Sequence, residues 1–188
     1  MKTWLLFCIS LLLVLCSVCQ SNVNRKNNRR AKTISTHIGE KFQLDNIVDS
    51  SGRLITLDLS LSDITVIDLW FNTCPPCIAE MAQFALLLPG KEKKINVISI
   101  SINNFPLWKK TLEEHSGRFS FLASSLPNWK HYNLRSATEV KQQVPADRLE
   151  ELRAKYDVEL FPAYFVLDKN GIILSRPASA VKFISDYK

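Results

Sequence analysis

The sequence predicts an α/β fold, a central mixed sheet flanked by helices on both faces. Three observations carry that expectation. Two nearly continuous runs of β-branched and apolar residues, Ile64–Phe71 and Ile95–Ile102, have the composition of strands buried on both sides. Segments of helical periodicity follow each of them, so strands and helices alternate. A last pair of short apolar runs brackets Asp168-Lys169-Asn170-Gly171, a hairpin signal.

Taken from the start, residues 1–19 read as an export signal. Lys2 supplies the positive start, Trp4–Val18 an apolar run, and Ser17 and Cys19 small residues for cleavage. The run of about 15 residues is short for a membrane span, which needs about 20. An uncleaved anchor, or lipid on Cys16 or Cys19, is the alternative. Residues 20–37 form a basic polar tether. Lys2, Arg25, Lys26, Arg29, Arg30 and Lys32 precede the first acidic residue, Glu40; the remaining 18 cations balance all 18 Asp and Glu. The net charge of +6 therefore belongs to the N-terminal segment, and the neutral domain lacks the basic face of a nucleic-acid binder. The tether itself fits a solvated linker, with contact to anionic lipid as the sharper alternative.

The domain occupies residues 38–188. Ile38–Leu44 and Leu54–Leu59 are expected as an N-terminal strand extension around a turn at Ser50-Ser51-Gly52. Residues 74–88 are expected as a helix, because Cys77, Met81, Phe84, Leu87 and Leu88 recur at helical spacing and Pro89-Gly90 ends the pattern. Phe105–His115 follows as a second helix. Residues 117–146 read as an insertion, with Phe119–Ala123 a short strand and Trp129–Val144 unassigned. Asp147–Tyr156 is a helix, Ala163–Leu167 and Ile172–Ser175 the hairpin, and Ala178–Tyr187 a terminal helix.

Cysteine usage narrows the chemistry. Of five cysteines, Cys8, Cys16 and Cys19 lie in the signal, leaving Cys74 and Cys77 in the domain. A disulfide-built mini-protein would need more, spread further apart. Cys-x-x-Cys is also half of a zinc site, yet His37, His115 and His131 offer no paired ligand spacing. At a strand-to-helix junction the pair suits redox work. The helix N-terminus stabilises a thiolate on Cys74, the expected nucleophile, and Cys77, a turn further in, is the expected resolving cysteine. Pro75 and Pro76 remove two amide donors near Cys74, which favours a higher thiol pKa and a more reducing couple. No metal and no cofactor are expected.

Trp70-Phe71-Asn72-Thr73-Cys74-Pro75-Pro76-Cys77-Ile78-Ala79-Glu80-Met81 resembles the active-site strand and helix of the TlpA/ResA-type thioredoxin-like proteins, bacterial extracytoplasmic thiol–disulfide oxidoreductases. The resemblance extends back to Ile38-Gly39-Glu40-Lys41-Phe42 and forward to Val158–Asp168 and Gly171, covering nearly all of residues 38–188 outside the insertion. It implies a thioredoxin-like fold and a cis-proline at Pro162, beside the sulfurs, with the Phe161 backbone available to pair with an extended substrate. Asp68 corresponds to the buried aspartate of thioredoxin, and Glu80 to the glutamate of ResA-type sites; both are candidate proton relays. Phe161, Pro162, Trp70, Pro75 and Pro76 are candidate substrate contacts, while Trp108 and Trp129 read as core or groove aromatics. Phe161, Leu160 and Thr73 depart from the family pattern.

The expected function is reduction of disulfides in exported cysteine-containing proteins, apocytochrome c among them, with electrons from a membrane thiol donor. A disulfide oxidant or isomerase of the same fold is the nearest alternative. A copper-binding assembly factor using the same thiols is the non-enzymatic one. The expected location is the periplasm or cell envelope, soluble or anchored through the N-terminus, with no nucleic acid as partner.

Overall fold

The computed structural model describes residues 37–137 and 143–187. The export signal and nearly all of the tether lie outside these residues. Among the described residues six strands form one sheet in the order β1-β4-β3-β2-β5-β6. These are β1 (Ile47–Val48), β2 (Ile64–Trp70), β3 (Ile95–Ser101), β4 (Trp129–Leu134), β5 (Ala163–Leu167) and β6 (Ile173–Ser175). β2 runs parallel to β3 and β3 parallel to β4, while β5, β6 and β1 pair antiparallel with their neighbours. The helices are α1 (Pro75–Leu87), α2 (Phe105–Glu114), α3 (Ala146–Tyr156) and α4 (Ala180–Asp186), with a 3-10 helix at Gly117–Ala123. Among the described residues no helix is long and apolar enough to cross a membrane.

Every residue of β2 and of β3 is buried. Their near-continuous apolar character follows from two separate cores, one on each face of the sheet. Val66 and Trp70 face a core with Cys77, Met81 and Phe84 of α1, Trp108 of α2 and Ile184 of α4. Ile67 and Leu69, on alternate positions, face the other with Leu152 and Tyr156 of α3. Fully burying one such side chain contributes roughly 1.5–3 kcal/mol. Both cores therefore clamp the strand that ends at the dithiol.

The hairpin forms as expected. Asp168 accepts hydrogen bonds from Asn170 N–H (2.9 Å) and Ile172 N–H (2.8 Å), and Gly171 takes φ +81°, a conformation that L side chains resist.

Three expectations are corrected. The segments Ile38–Leu44 and Leu54–Leu59 are not strands; they contribute only the isolated bridges Lys41–Ile172 and Val48–Leu54, and the N-terminal strand is Ile47–Val48 between them. The first is broken by positive φ at Gly39. In the second, the alternation is real, since Ile55, Leu57 and Leu59 turn onto the core, but Leu54 alone finds a strand to pair with. Phe119–Ala123 belongs to the 3-10 helix, its aromatic rings packing on Trp70 and Trp129 instead of pairing in the sheet. Within the segment read as an insertion, Trp129–Leu134 is a sheet strand between β1 and β3.

Candidate active site

The sheet delivers β2 to a tight loop at 71–73, and α1 starts at once. Cys74 is the N-cap residue of α1, with Pro75 and Pro76 occupying the first two helical positions. Proline fits there because those amides would have no intrahelical partner and φ is already helical. Cys74 and Cys77 are joined in a disulfide. Cys77 is fully buried, whereas Cys74 retains 4% exposure between the exposed Thr73, Pro75 and Pro76. Of the two, Cys74 alone keeps surface that an incoming sulfur could reach.

The helix N-terminus offers Cys74 Sγ little. Cys77 N–H donates to it at 3.3 Å. Ile78 N–H is already committed to the Cys74 carbonyl (3.2 Å), and the prolines have no N–H. A single amide therefore supports the sulfur.

The loop ahead of Cys74 is held by residues that the sequence did not single out. Asn72 N–H donates to Asn103 Oδ1 (2.9 Å), and Asn103 Nδ2 donates back to Asn72 Oδ1 (3.0 Å). Ser101 Oγ donates to the same Asn103 Oδ1 (3.0 Å), and Arg118 Nη2 donates to the Asn72 carbonyl (2.9 Å). The polar residues of Ser101-Ile102-Asn103 were visible, but their partner across the strand ends was not.

Asp68 lies in the centre of the sheet with no exposed surface. Alternation with Val66 and Trp70 puts it on the face that α1 covers. Burial pushes its carboxyl up to about 7; the Ser99 hydrogen bond opposes this and the charge of Glu80 adds to it. Glu80, the other candidate relay, holds two elements together: its Oε2 accepts from Ala180 N–H (2.9 Å) and Val181 N–H (3.2 Å), the first amides of α4. That capping task joins residues 100 positions apart, whereas Asp68 bonds Ser99 within the sheet.

Register places the rest. Leu69 pairs with Ala163, so one step further Pro162 stands beside Trp70 and Phe161 beside Phe71. The Phe71 and Phe161 rings meet edge to face at 5.3 Å, and the Phe161–Pro162 bond is cis. Phe161 and Pro162 are half-exposed and Leu160 is 62% exposed, forming an apolar rim. Trp70 is corrected as a substrate contact. It has no exposed surface and packs inward, 6.3 Å from the Phe119 ring, because its strand position faces the core. Trp108 and Trp129 are core aromatics.

Residues 37–186 match the Redoxin family, which spans the sheet, the dithiol and the proline strand alike. The chain belongs to the Redoxin family. Solved structures similar to this Redoxin domain include the thioredoxin domain of a thiol–disulfide oxidoreductase from Bacteroides vulgatus, at 18% identity and TM-score 0.54, covering 80% of this chain and 95% of that one. Another is a thiol:disulfide interchange protein from a Bacteroides species, at 17% identity and TM-score 0.56, covering 81% of this chain and 88% of that one. They show the thioredoxin-like fold, consistent with the TlpA/ResA resemblance. No curated protein matches the sequence significantly. A Redoxin chain whose Cys-x-x-Cys forms a disulfide at a helix N-terminus is a thioredoxin-like protein-disulfide oxidoreductase.

Proposed function

We propose that this Redoxin protein reduces disulfides in exported cysteine-containing proteins, apocytochromes among them. In the reduced state the Cys74 thiolate attacks one sulfur of the substrate disulfide, the S–S bond breaks, and the leaving thiolate takes a proton from water. Cys77 then gives its proton to Asp68 and attacks Cys74 Sγ. The second substrate sulfur leaves as thiolate, and the Cys74–Cys77 disulfide remains. Two electrons from a membrane thiol donor restore the dithiol. The rim of Leu160, Phe161, Pro75 and Pro76 receives the substrate, with the Phe161 backbone pairing with an extended segment. The periplasm or cell envelope is the proposed location, since residues 1–19 read as an export signal or anchor.

The observation that supports the direction is the single amide on Cys74 Sγ. A weakly stabilised thiolate makes the disulfide the favoured state and the dithiol the better electron donor. Equilibration against a dithiol buffer is expected to give a potential below about −200 mV, in the range of reducing thioredoxin-like couples. Pro76→Ala restores an amide beside Cys74 and is expected to raise the potential by about 30 mV, a tenfold change in equilibrium. A wild-type couple above about −150 mV would replace reduction with the oxidant reading.

A further inference from the structure

A row of residues in register crosses the sheet at Asp68. Tyr164 of β5 pairs in register with Asp68 of β2, Asp68 with Ser99 of β3, and Ser99 with His131 of β4. Ser99 Oγ donates to Asp68 Oδ2 at 2.8 Å, and Trp129 Nε1–H donates to Ser99 Oγ at 2.9 Å. Asp68 Oδ1 is buried and has no hydrogen-bond partner among the described residues.

The chemistry of these donors gives the chain one direction. An indole N–H donates and never accepts. A serine hydroxyl has one proton, and Asp68 is the acceptor in reach of Ser99. A proton on Oδ2 would force Ser99 to turn its own proton away from the only acceptor it has among the described residues. Oδ2 is thereby kept as an acceptor. Trp129 further polarises the hydroxyl that binds it, because donors in series strengthen one another.

We infer that Trp129 and Ser99 are positioning residues of the relay, a fixed donor chain that reserves Asp68 Oδ1 for the proton leaving Cys77 and sets how readily Asp68 takes it. The inference rests on the relay reading of Asp68. The step balances: the Cys77 S–H bond breaks, an O–H bond forms at Oδ1, the Cys77 electron pair makes the bond to Cys74, and Asp68 later loses the proton to water. The charge of Glu80 reaches Asp68 from α1, the helix whose Cys77 packs in the core on that face of the sheet, and Tyr164 stands beside it on β5. His131 on β4 is neutral at working pH, since burial and then Lys130 push its pKa down to about 4. Arg118 of the 3-10 helix is bound to the Asn72 carbonyl.

The test is the pH dependence of mixed-disulfide resolution in single turnover, with the side-chain carboxyl carbon of Asp68 followed by NMR over the same range. Ser99→Ala is expected to move the Asp68 titration upward by about one unit, a tenfold change in proton affinity. Trp129→Phe is expected to move it less in the same direction, and to do nothing further in the Ser99→Ala background. Ser99→Thr, which keeps the hydroxyl, is expected to titrate like wild type, so a shift in Ser99→Ala alone is not a folding defect. Coincident profiles for Ser99→Ala and wild type would overturn the inference, as would an effect of Trp129→Phe that persists without the Ser99 hydroxyl. Asp68→Asn separates the two levels. If it leaves resolution and its pH profile untouched, the relay reading fails; if it flattens the profile while Ser99→Ala shifts nothing, only the donor chain fails.

Discussion

Replacing Cys74 with serine is expected to abolish disulfide turnover, lowering kcat/KM on a model disulfide by at least about a thousandfold, or roughly 4 kcal/mol of barrier. The size follows from what the site concentrates on one atom. Cys74 alone keeps exposed surface, since Cys77 is sealed beneath it. Its sulfur sits at the N-cap, where the helix dipole favours negative charge, and a serine hydroxyl does not ionise there at neutral pH. The fold should survive the change, because serine is a good N-cap and keeps an acceptor for Cys77 N–H. Steady-state reduction assays with circular dichroism as a control check both halves. Retained turnover with an intact fold would remove Cys74 from the chemistry.

Asp68→Asn is expected to act in opposite directions on stability and on catalysis. The Asp68 carboxyl is held at about 7 against an ordinary value of 3.8, mainly by burial. A carboxyl raised on folding contributes stability below its unfolded pKa and loses it as pH rises through the folded one. Across that window the folded state loses about 4 kcal/mol relative to a neutral side chain. Asparagine keeps an acceptor for Ser99 and carries no charge. Urea unfolding of the oxidised protein is thus expected to show little difference at pH 4 and a variant more stable by up to about 4 kcal/mol at pH 8. Resolution by Cys77 should meanwhile slow about a hundredfold, the usual worth of a positioned general base. A stability gap that does not widen between those pH values would contradict the burial of an ionisable Asp68. The two results together would show a carboxyl that lowers stability at the pH where it accelerates resolution.

Much of this site was legible because its chemistry is local. Cys74-Pro75-Pro76-Cys77 is a helix start written in consecutive residues, and Asp168–Gly171 is a turn for the same reason. β2 and β3 were legible because burial on both faces leaves an unmistakable apolar run. What was not legible depends on register. Trp129–Leu134 directs Trp129, His131 and Asn133 inward, and an inward His and Asn do not read as strand. Asn133 is at home there because its amide donates to the Ser101 and Asn103 carbonyls of the neighbouring chain segment. Glu80 read as a relay because nothing in its own helix reveals that the amides of Ala180 and Val181 arrive beside it. Ser99 and Trp129 are ordinary residues until pairing of β2, β3 and β4 lines them up with Asp68.

The most direct measurement is mass spectrometry of the Cys77→Ser protein after reaction with a disulfide-bonded peptide. Without the resolving sulfur, the first step should stop at a stable adduct of one peptide thiol on Cys74, while Cys74→Ser yields none and the wild type releases both thiols. Absence of the Cys74 adduct, or equal labelling in Cys74→Ser, would contradict the assignment of this helix start as the place where electrons change hands.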